Sequence, residues 1–238
     1  MKKEIFQDIC SQVFNVLESN EQLTIYLEGE NSQYFRFNDS KLRQSGIIED
    51  YAVTISLFSG KKSLQSATTV SSDIESSVNN LTNEINALRN PLSLIPDNEF
   101  TSFPDNFDSV EIIKSGQLPD RNEILDALMD IITKDYLTGV WTSGKIFRAC
   151  STSEGANHWF EKDSFIFDFS LIDKKENMVK VLFPGNCWDK SKFNVAFEEA
   201  SDKLKLMNKP KMELKPGKYR VWFEPHAVAD FVDMLNWN

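Results

Sequence analysis

The sequence has few of the residues that carry most catalytic and metal chemistry. Among its 238 residues there are only two histidines and three cysteines. Cys10, Cys150 and Cys187 are odd in number, lie far apart and form no CxxC pair. Neither a zinc ribbon nor a disulfide framework is therefore predicted, and a reducing cytosol is the compartment that fits best.

Long apolar runs and an excess of basic charge are also missing. No segment reaches the roughly 18 apolar residues of a membrane span, and no apolar segment of a signal peptide follows the first two lysines. The net charge is −10 and the pI is about 4.8. This acidity argues against nucleic acid and against anionic membrane surfaces as partners. The sequence predicts a soluble, cytoplasmic chain.

The common catalytic motifs are absent as well. The sequence contains no HExxH, HExxxH, GxSxG or phosphate-binding loop. Ser143-Gly144-Lys145 has part of the composition of such a loop, but the preceding glycines are missing. His158 is predicted to be a turn or surface residue, and His226 to cap a helix start. Asp230 and Asp233 lie one helical turn apart, where a solvated face is favoured over a cation site. We predict no catalytic, cofactor-binding or metal-ligating residue.

The first ninety residues have the pattern helix, β-meander, helix. Apolar residues recur every four positions from Ile5 to Leu17, which predicts a helix. Apolar and polar residues alternate over residues 23–70, which predicts the meander, with a bulge or bend at Gly46. The predicted turns lie at residues 29–31, 38–40 and 59–60. A second helix is predicted to start at Ser71 or Ser72 and to end at Pro91. The spacing of Ser72 to Glu75 is that of a capping box.

The remaining residues predict a connector and a second α+β unit. Residues 93–117 show no helical or strand periodicity of apolar residues. Phe100, Phe103 and Phe107 are expected to attach this connector to the surface of the protein. The predicted strands there are 137–149, 159–172, 179–183 and 219–223, and the predicted helices begin at Pro119, at about Asp189 and at Pro225. Phe165, Phe167 and Phe169 alternate with polar or aliphatic neighbours, which predicts a phenylalanine ladder on one sheet face.

The predicted fold class is α+β, with helices packed on antiparallel sheets. We divide the chain into a first subdomain (1–92), a connector (93–117) and a second subdomain (118–238). The last helix offers Phe231, Leu235 and Trp237 as an apolar face, which is expected either to fold back on this domain or to be covered by a missing C-terminal part.

Several segments together resemble one known family. Residues 34–38 (YFRFN), Gln44-Ser45-Gly46 and the small-residue strand over 60–69 are followed by a capped helix, as in the first domain of the TldD/PmbA family. Residues 139–144 and 151–155 are similar to the family's middle domain, and residues 219–235 to the junction before its third domain. These proteins were formerly described as modulators of DNA gyrase and are now regarded as metalloprotease-related.

The resemblance implies that this chain is a non-catalytic subunit. In the TldD branch the junction leads into a helical HExxxH motif, whereas residues 227–235 contain no histidine. The chain therefore resembles the PmbA (TldE) branch, and the family's C-terminal domain is absent from it, so it is either a short member or a fragment. The resemblance implies a cytosolic complex that degrades or matures peptides, with zinc on a TldD-like partner.

Other functions stay open at this point. A stand-alone module that binds an unfolded peptide or protein, for example at an open sheet edge, is the main alternative. The chain is thus not expected to be catalytic alone. Its expected partners are a TldD-like subunit or a second copy, together with an unfolded peptide substrate.

Overall fold

A computed structural model of the protein describes residues 1–104, 108–132 and 136–236, without the side chains of residues 131 and 132. Within these residues the chain forms five helices and seven strands. The predicted α+β class is confirmed. In chain order the elements are α1 (Lys3–Phe14), β1 (Glu21–Asn38), β2 (Lys41–Ser59), β3 (Lys62–Thr69), α2 (Ile74–Leu94), β4 (Val110–Lys114), α3 (Arg121–Ile132), β5 (Tyr136–Thr152), β6 (Asn157–Ile172), β7 (Met178–Gly185), α4 (Lys190–Leu206) and α5 (Pro225–Leu235).

All seven strands belong to one sheet. The strand order is β3-β2-β1-β5-β6-β4, and β7 pairs with β6 beyond the end of β4. Every pair is antiparallel except β4 with β6, which is parallel. Because β1 pairs with β5 along 14 residues of each strand, strands from both predicted subdomains share a continuous sheet.

The first two strands are longer than the sequence pattern predicts. The turn predicted at residues 29–31 is wrong, since β1 runs unbroken through Gly29. Gly29 lies opposite Tyr51, and a Cβ there would come within 2.6 Å of the tyrosine ring. The bulge predicted at Gly46 is also wrong: Gly46 stays in register with Tyr34, and the register shifts between Arg36 and Phe37 instead.

The predicted hairpin turns at the strand ends are confirmed. Asp39 and Ser40 both have positive φ, 52° and 55°, as the tight turn between β1 and β2 requires. Gly60, with φ of 57°, makes the turn between β2 and β3.

Helices α1 to α4 cover one face of the sheet in two groups. Leu23, Ile25 and Leu27 of β1 belong to a hydrophobic cluster with α1 and α2. Phe35 and Phe37 of the same strand belong to a second cluster with α3 and α4. Because all five positions are odd-numbered in one strand, both clusters lie on the same sheet face. The predicted phenylalanine ladder is part of the second cluster: Phe165, Phe167 and Phe169 are all buried.

Helix α2 differs from its prediction at both ends. Its N-cap is Asp73, whose carboxylate accepts a hydrogen bond from the Ser76 amide at 3.1 Å, so the capping box predicted at Ser72 is wrong. It also continues past Pro91 to Leu94, because a proline in the last turn removes only one helical hydrogen bond. None of the helices in the described residues is both long and apolar enough to span a bilayer.

Residues 93–117 contain structure that the sequence pattern does not reveal. The end of α2 and the whole of β4 lie within them. Phe103 packs edge-on against Phe58 with ring centroids 5.2 Å apart, as expected, whereas Phe100 is 93% exposed. Phe107 lies outside the described residues. The strand predicted at 219–223 does not form: these residues are not part of any strand, and all five are exposed.

Candidate functional site

The sheet is polar on its helix-bearing face in the space between the two hydrophobic clusters. There Asn31 of β1, Glu49 of β2, Lys145 of β5, and Glu161 and Asp163 of β6 line a cavity of about 690 Å³, which we call the central cleft. This volume lies within the usual range for small-molecule sites. The cleft exists because the two pairs of helices leave the middle of these long strands uncovered.

Lys145 is the central charged group of this cleft. Its ammonium donates a hydrogen bond to Glu161 and lies 3.8 Å from a carboxylate oxygen of Asp163. Asp163 also accepts a hydrogen bond from the Gly116 amide at 3.1 Å. The hydrogen bond to Glu161 raises the pKa of Lys145. The amine is therefore protonated at neutral pH and serves as a fixed positive charge, not as a nucleophile.

The opposite side of the cleft is formed by a buried tyrosine and a carboxylate. The Tyr51 hydroxyl donates a hydrogen bond to Glu49 at 3.0 Å. Burial, with a smaller contribution from Glu49, raises the pKa of Tyr51 to about 12. At the rim, the Lys3 ammonium pairs with Glu111 at 2.6 Å. The pKa values of Lys145 and Tyr51 are both raised, away from neutral pH. The cleft is therefore better suited to holding a polar ligand than to proton transfer.

Sequence reasoning misses these cleft residues because no motif contains them. Their signal is a charged or polar residue at a strand position where the alternation predicts a buried side chain. In the fragment Ser143-Gly144-Lys145, Gly144 and Lys145 line the cleft. Its lysine is already paired with carboxylates, which disfavours phosphate binding there.

The three cysteines and His158 are not brought together into a reactive site. Cys10 lies on the buried face of α1, and burial raises the pKa of its thiol to about 12. Cys150 lies opposite His158 in the β5–β6 register on the other face of the sheet. Burial raises the pKa of the Cys150 thiol too, so this pair does not form an activated nucleophile. Cys187 is exposed.

Metal-binding geometry is not found in the described part of the chain. No three His, Cys, Asp or Glu side chains among residues 1–104, 108–132 and 136–236 are grouped to hold an ion. His226 and the acidic residues Asp230 and Asp233 lie on α5, and all three are exposed. The prediction that the chain has no catalytic, cofactor or metal residue stays a prediction.

Helix α5 is the second candidate surface. None of its residues is buried, and its apolar side chains are largely exposed: Val228 at 45%, Phe231 at 52% and Leu235 at 69%. Phe231 packs edge-on against Phe223, with ring centroids 5.2 Å apart. The helix does not fold back on the sheet, and Trp237 lies outside the described residues. The amphipathic face of α5 is therefore available to another surface.

Comparison with known proteins places the fold. No model of a protein family and no curated protein matches the sequence. Solved structures do match it. One is a protein from Thermotoga maritima that carries the name modulator of DNA gyrase, with 13% identity and a TM-score of 0.60, covering 83% of this chain and 48% of that one. Another is TldE from Thermococcus kodakarensis, with 12% identity and a TM-score of 0.59, covering 84% of this chain and 47% of that one.

A third match is a protein of the same gyrase-modulator name from Bacteroides thetaiotaomicron. It has 12% identity and a TM-score of 0.62, and the match covers 91% of this chain and 52% of that one. The chain thus spans about half the length of the structures that it matches. The resemblance to the TldD/PmbA family inferred from the sequence is confirmed at the level of the fold.

Proposed function

We propose that this chain is a non-catalytic, TldE-like subunit, or the N-terminal half of one, in a TldD/TldE-type metalloprotease complex that degrades or matures peptides. The observation that carries this proposal is the structural match to TldE over 84% of the chain. The absence of HExxxH from residues 227–235 favours the TldE-like over the TldD-like role. In this arrangement zinc belongs to a TldD-like partner.

The exposed face of α5 supports a role in association. An amphipathic helix with Val228, Phe231 and Leu235 in solvent is costly unless another surface covers it. A TldD-like subunit is the partner that the fold favours, and a second copy of this chain is the other candidate. The rest of the chain would then form a wall of a shared chamber.

The test is light scattering combined with metal analysis on the purified chain, alone and mixed with a TldD-like protein from the same source. We expect a mixed complex that contains zinc only when the partner is present. A chain that stays monomeric and zinc-free beside the partner would contradict the proposal. That result would favour a stand-alone peptide-binding module instead.

Two variants locate the interface. Leu235→Asp places a charge in the exposed face of α5, and we expect it to abolish or weaken the mixed complex at least tenfold. Leu94→Asp is the matched control, because Leu94 is equally open to solvent, at 78%, but lies at the end of α2. Equal binding by both variants would place the interface elsewhere.

A further inference from the structure

The sheet face without helices carries a groove of about 770 Å³, separate from the central cleft on the opposite face. Its floor is a row of small residues across three strands: Ser32 of β1, Gly144 of β5 and Ser164 of β6, which are paired in register. The neighbouring residues Ile48 and Ile146 form part of its walls. We call this the open-face groove.

Gly144 keeps the floor of the groove at backbone level. A Cβ at this position would lie 2.3 Å from the Asn31 carbonyl oxygen and 2.5 Å from the Ser32 Cα, so the two strands leave no room for a side chain. The hydroxyls of Ser32 and Ser164 make no hydrogen bond to any residue that the structure describes, and they are free to bind a ligand.

Two lysines stand side by side at one end of the groove. Lys114 of β4 is directly opposite Lys162 of β6 in the parallel register, and both line the groove. Neither forms an ion pair with a described residue, and Lys114 makes only a distant cation–π contact, 6.0 Å from the Phe160 ring centroid. The adjacent carboxylates Glu161 and Asp163 point to the other face, where they pair with Lys145.

This arrangement favours the binding of an anion. Like charges directly opposite on neighbouring strands destabilise a sheet. The chain has a net charge of −10 and thus many carboxylates, yet none within the described residues neutralises Lys114 or Lys162. An unneutralised pair of ammonium groups beside free hydroxyls in a concave site is suited to a carboxylate or phosphate group.

The other end of the same row is acidic. The register aligns Asp50, Glu30, Ile146, Lys162 and Lys114 across five strands. Glu30 lines the groove and lies two strands from Lys162, which corresponds to about 10 Å. An extended tripeptide has about the same length at roughly 3.3–3.6 Å per residue.

We propose that the open-face groove binds a short peptide with free ends, with its terminal carboxylate at Lys114 and Lys162 and its amino group at Glu30. The isoleucines of the groove would contact the side chains of the peptide. The choice of a peptide as the ligand rests on the proposed function, whereas the anion-binding end rests on the geometry alone. The site holds products or short substrates without any chemical step.

The test uses the full chain alone, without a partner, and measures binding by calorimetry or NMR titration. The probes are Ala-Ala-Ala with free ends, the same peptide amidated at its C-terminus, the same peptide acetylated at its N-terminus, and inorganic phosphate. We expect the free peptide to bind at least tenfold more tightly than each of the other three. Absent binding, equal binding of the capped peptides, or phosphate binding as tight as the free peptide would each overturn the proposal.

Variants tie the binding to the lysines. The double variant Lys114→Gln/Lys162→Gln is expected to weaken binding of the free peptide at least tenfold. Lys174→Gln/Lys175→Gln, which changes the net charge equally in the exposed turn after β6, is expected to bind like the parent chain. The single variant Lys162→Gln, with circular dichroism on each protein, guards against misfolding of the double variant. Unchanged binding by a folded lysine variant contradicts the site. Because no partner is present, this result is independent of whether a TldD-like complex forms.

Discussion

At the scale of single residues, the three cysteines differ in environment and hence in reactivity. Burial raises the pKa of Cys10 to about 12 and also raises that of Cys150, while Cys187 is exposed. Because the thiolate is the reactive form, we expect iodoacetamide at pH 8 to modify Cys187 at least tenfold faster than Cys10. Peptide mapping by mass spectrometry measures both rates. Equal rates in the folded protein would contradict the burial of α1 on the sheet.

Arg89 joins α2 to the start of the sheet. Its Nε and Nη2 donate hydrogen bonds to the two carboxylate oxygens of Glu21 at 2.9 and 2.8 Å, and Nη2 also donates to the Val16 carbonyl at 2.8 Å. Arg89→Met leaves a nearly buried carboxylate without this partner. We expect a loss of about 2 kcal/mol in the free energy of unfolding, measured with urea. Arg43→Met, at an exposed arginine, is the control and should change little.

The same pair predicts how stability depends on pH. The hydrogen bonds from Arg89 are the main cause that lowers the pKa of Glu21 from its ordinary value of 4.5. A carboxyl group with a lowered pKa in the folded state stabilises the fold above its unfolded pKa, and this contribution is lost as the pH falls through the folded pKa. We therefore expect the stability difference between the parent and Arg89→Met to shrink below pH 4. A difference that stays constant down to pH 2 would contradict this assignment.

At the scale of elements, β6 and α4 contribute four buried residues each to the second hydrophobic cluster. Phe167 is fully buried and its ring lies 4.4 Å from that of Phe169 and 5.9 Å from that of Phe193, centroid to centroid. Phe167→Ala is expected to cost about 3–5 kcal/mol, since it removes a large side chain and leaves a cavity. Phe160→Ala, in the same strand but on the half-exposed open face, should cost clearly less. Similar losses by thermal or urea unfolding would show that the open face is covered.

The outcome of the sequence predictions also becomes clear at this scale. Helices α1 and α4, the tight turns at Asp39-Ser40 and Gly60 and the phenylalanine ladder follow from local periodicity, and the structure confirms them. The unbroken length of β1 was missed because Asn31 and Gln33 are polar although they lie on the helix-bearing face. Both residues line or border the region between the two clusters. The polar side chains that interrupt the apolar alternation therefore also give the central cleft its polar lining.

The missed strand β4 has a different cause. All five of its residues are exposed, so no hydrophobic alternation marks it. Its existence depends on the parallel register with β6, a contact between segments nearly fifty residues apart, which a local pattern does not contain. Since Lys114 reaches the open-face groove only through this pairing, the proposed anion-binding end was invisible in the sequence.

At the scale of the whole molecule, the long sheet gives the chain two distinct binding surfaces from the same strands. The alternation of side chains places Lys145 in the central cleft and its neighbour Ile146 in the open-face groove. The two hydrophobic clusters pack against the sheet on either side of the central cleft. The geometry of both sites therefore depends on the pairing of β1, β5 and β6 and, for the open-face groove, also on that of β4 with β6.

The segment that follows α4 is expected to contribute little to the stability of the fold. A chain that ends after Asn208 lacks α5, which has no buried residue. It keeps the hydrogen bond of 2.7 Å that the side-chain amide of Asn208 donates to the Asp173 carboxylate. The truncation also removes the exposed ion pair between Lys203 and Glu224, and such pairs contribute little. We expect Tm to change by less than about 2 °C. The same truncation should abolish association with a TldD-like partner, because it removes the apolar face of α5. A fall in Tm of more than about 5 °C would instead mean that this segment packs on its own domain, and the argument for a docking helix would fail.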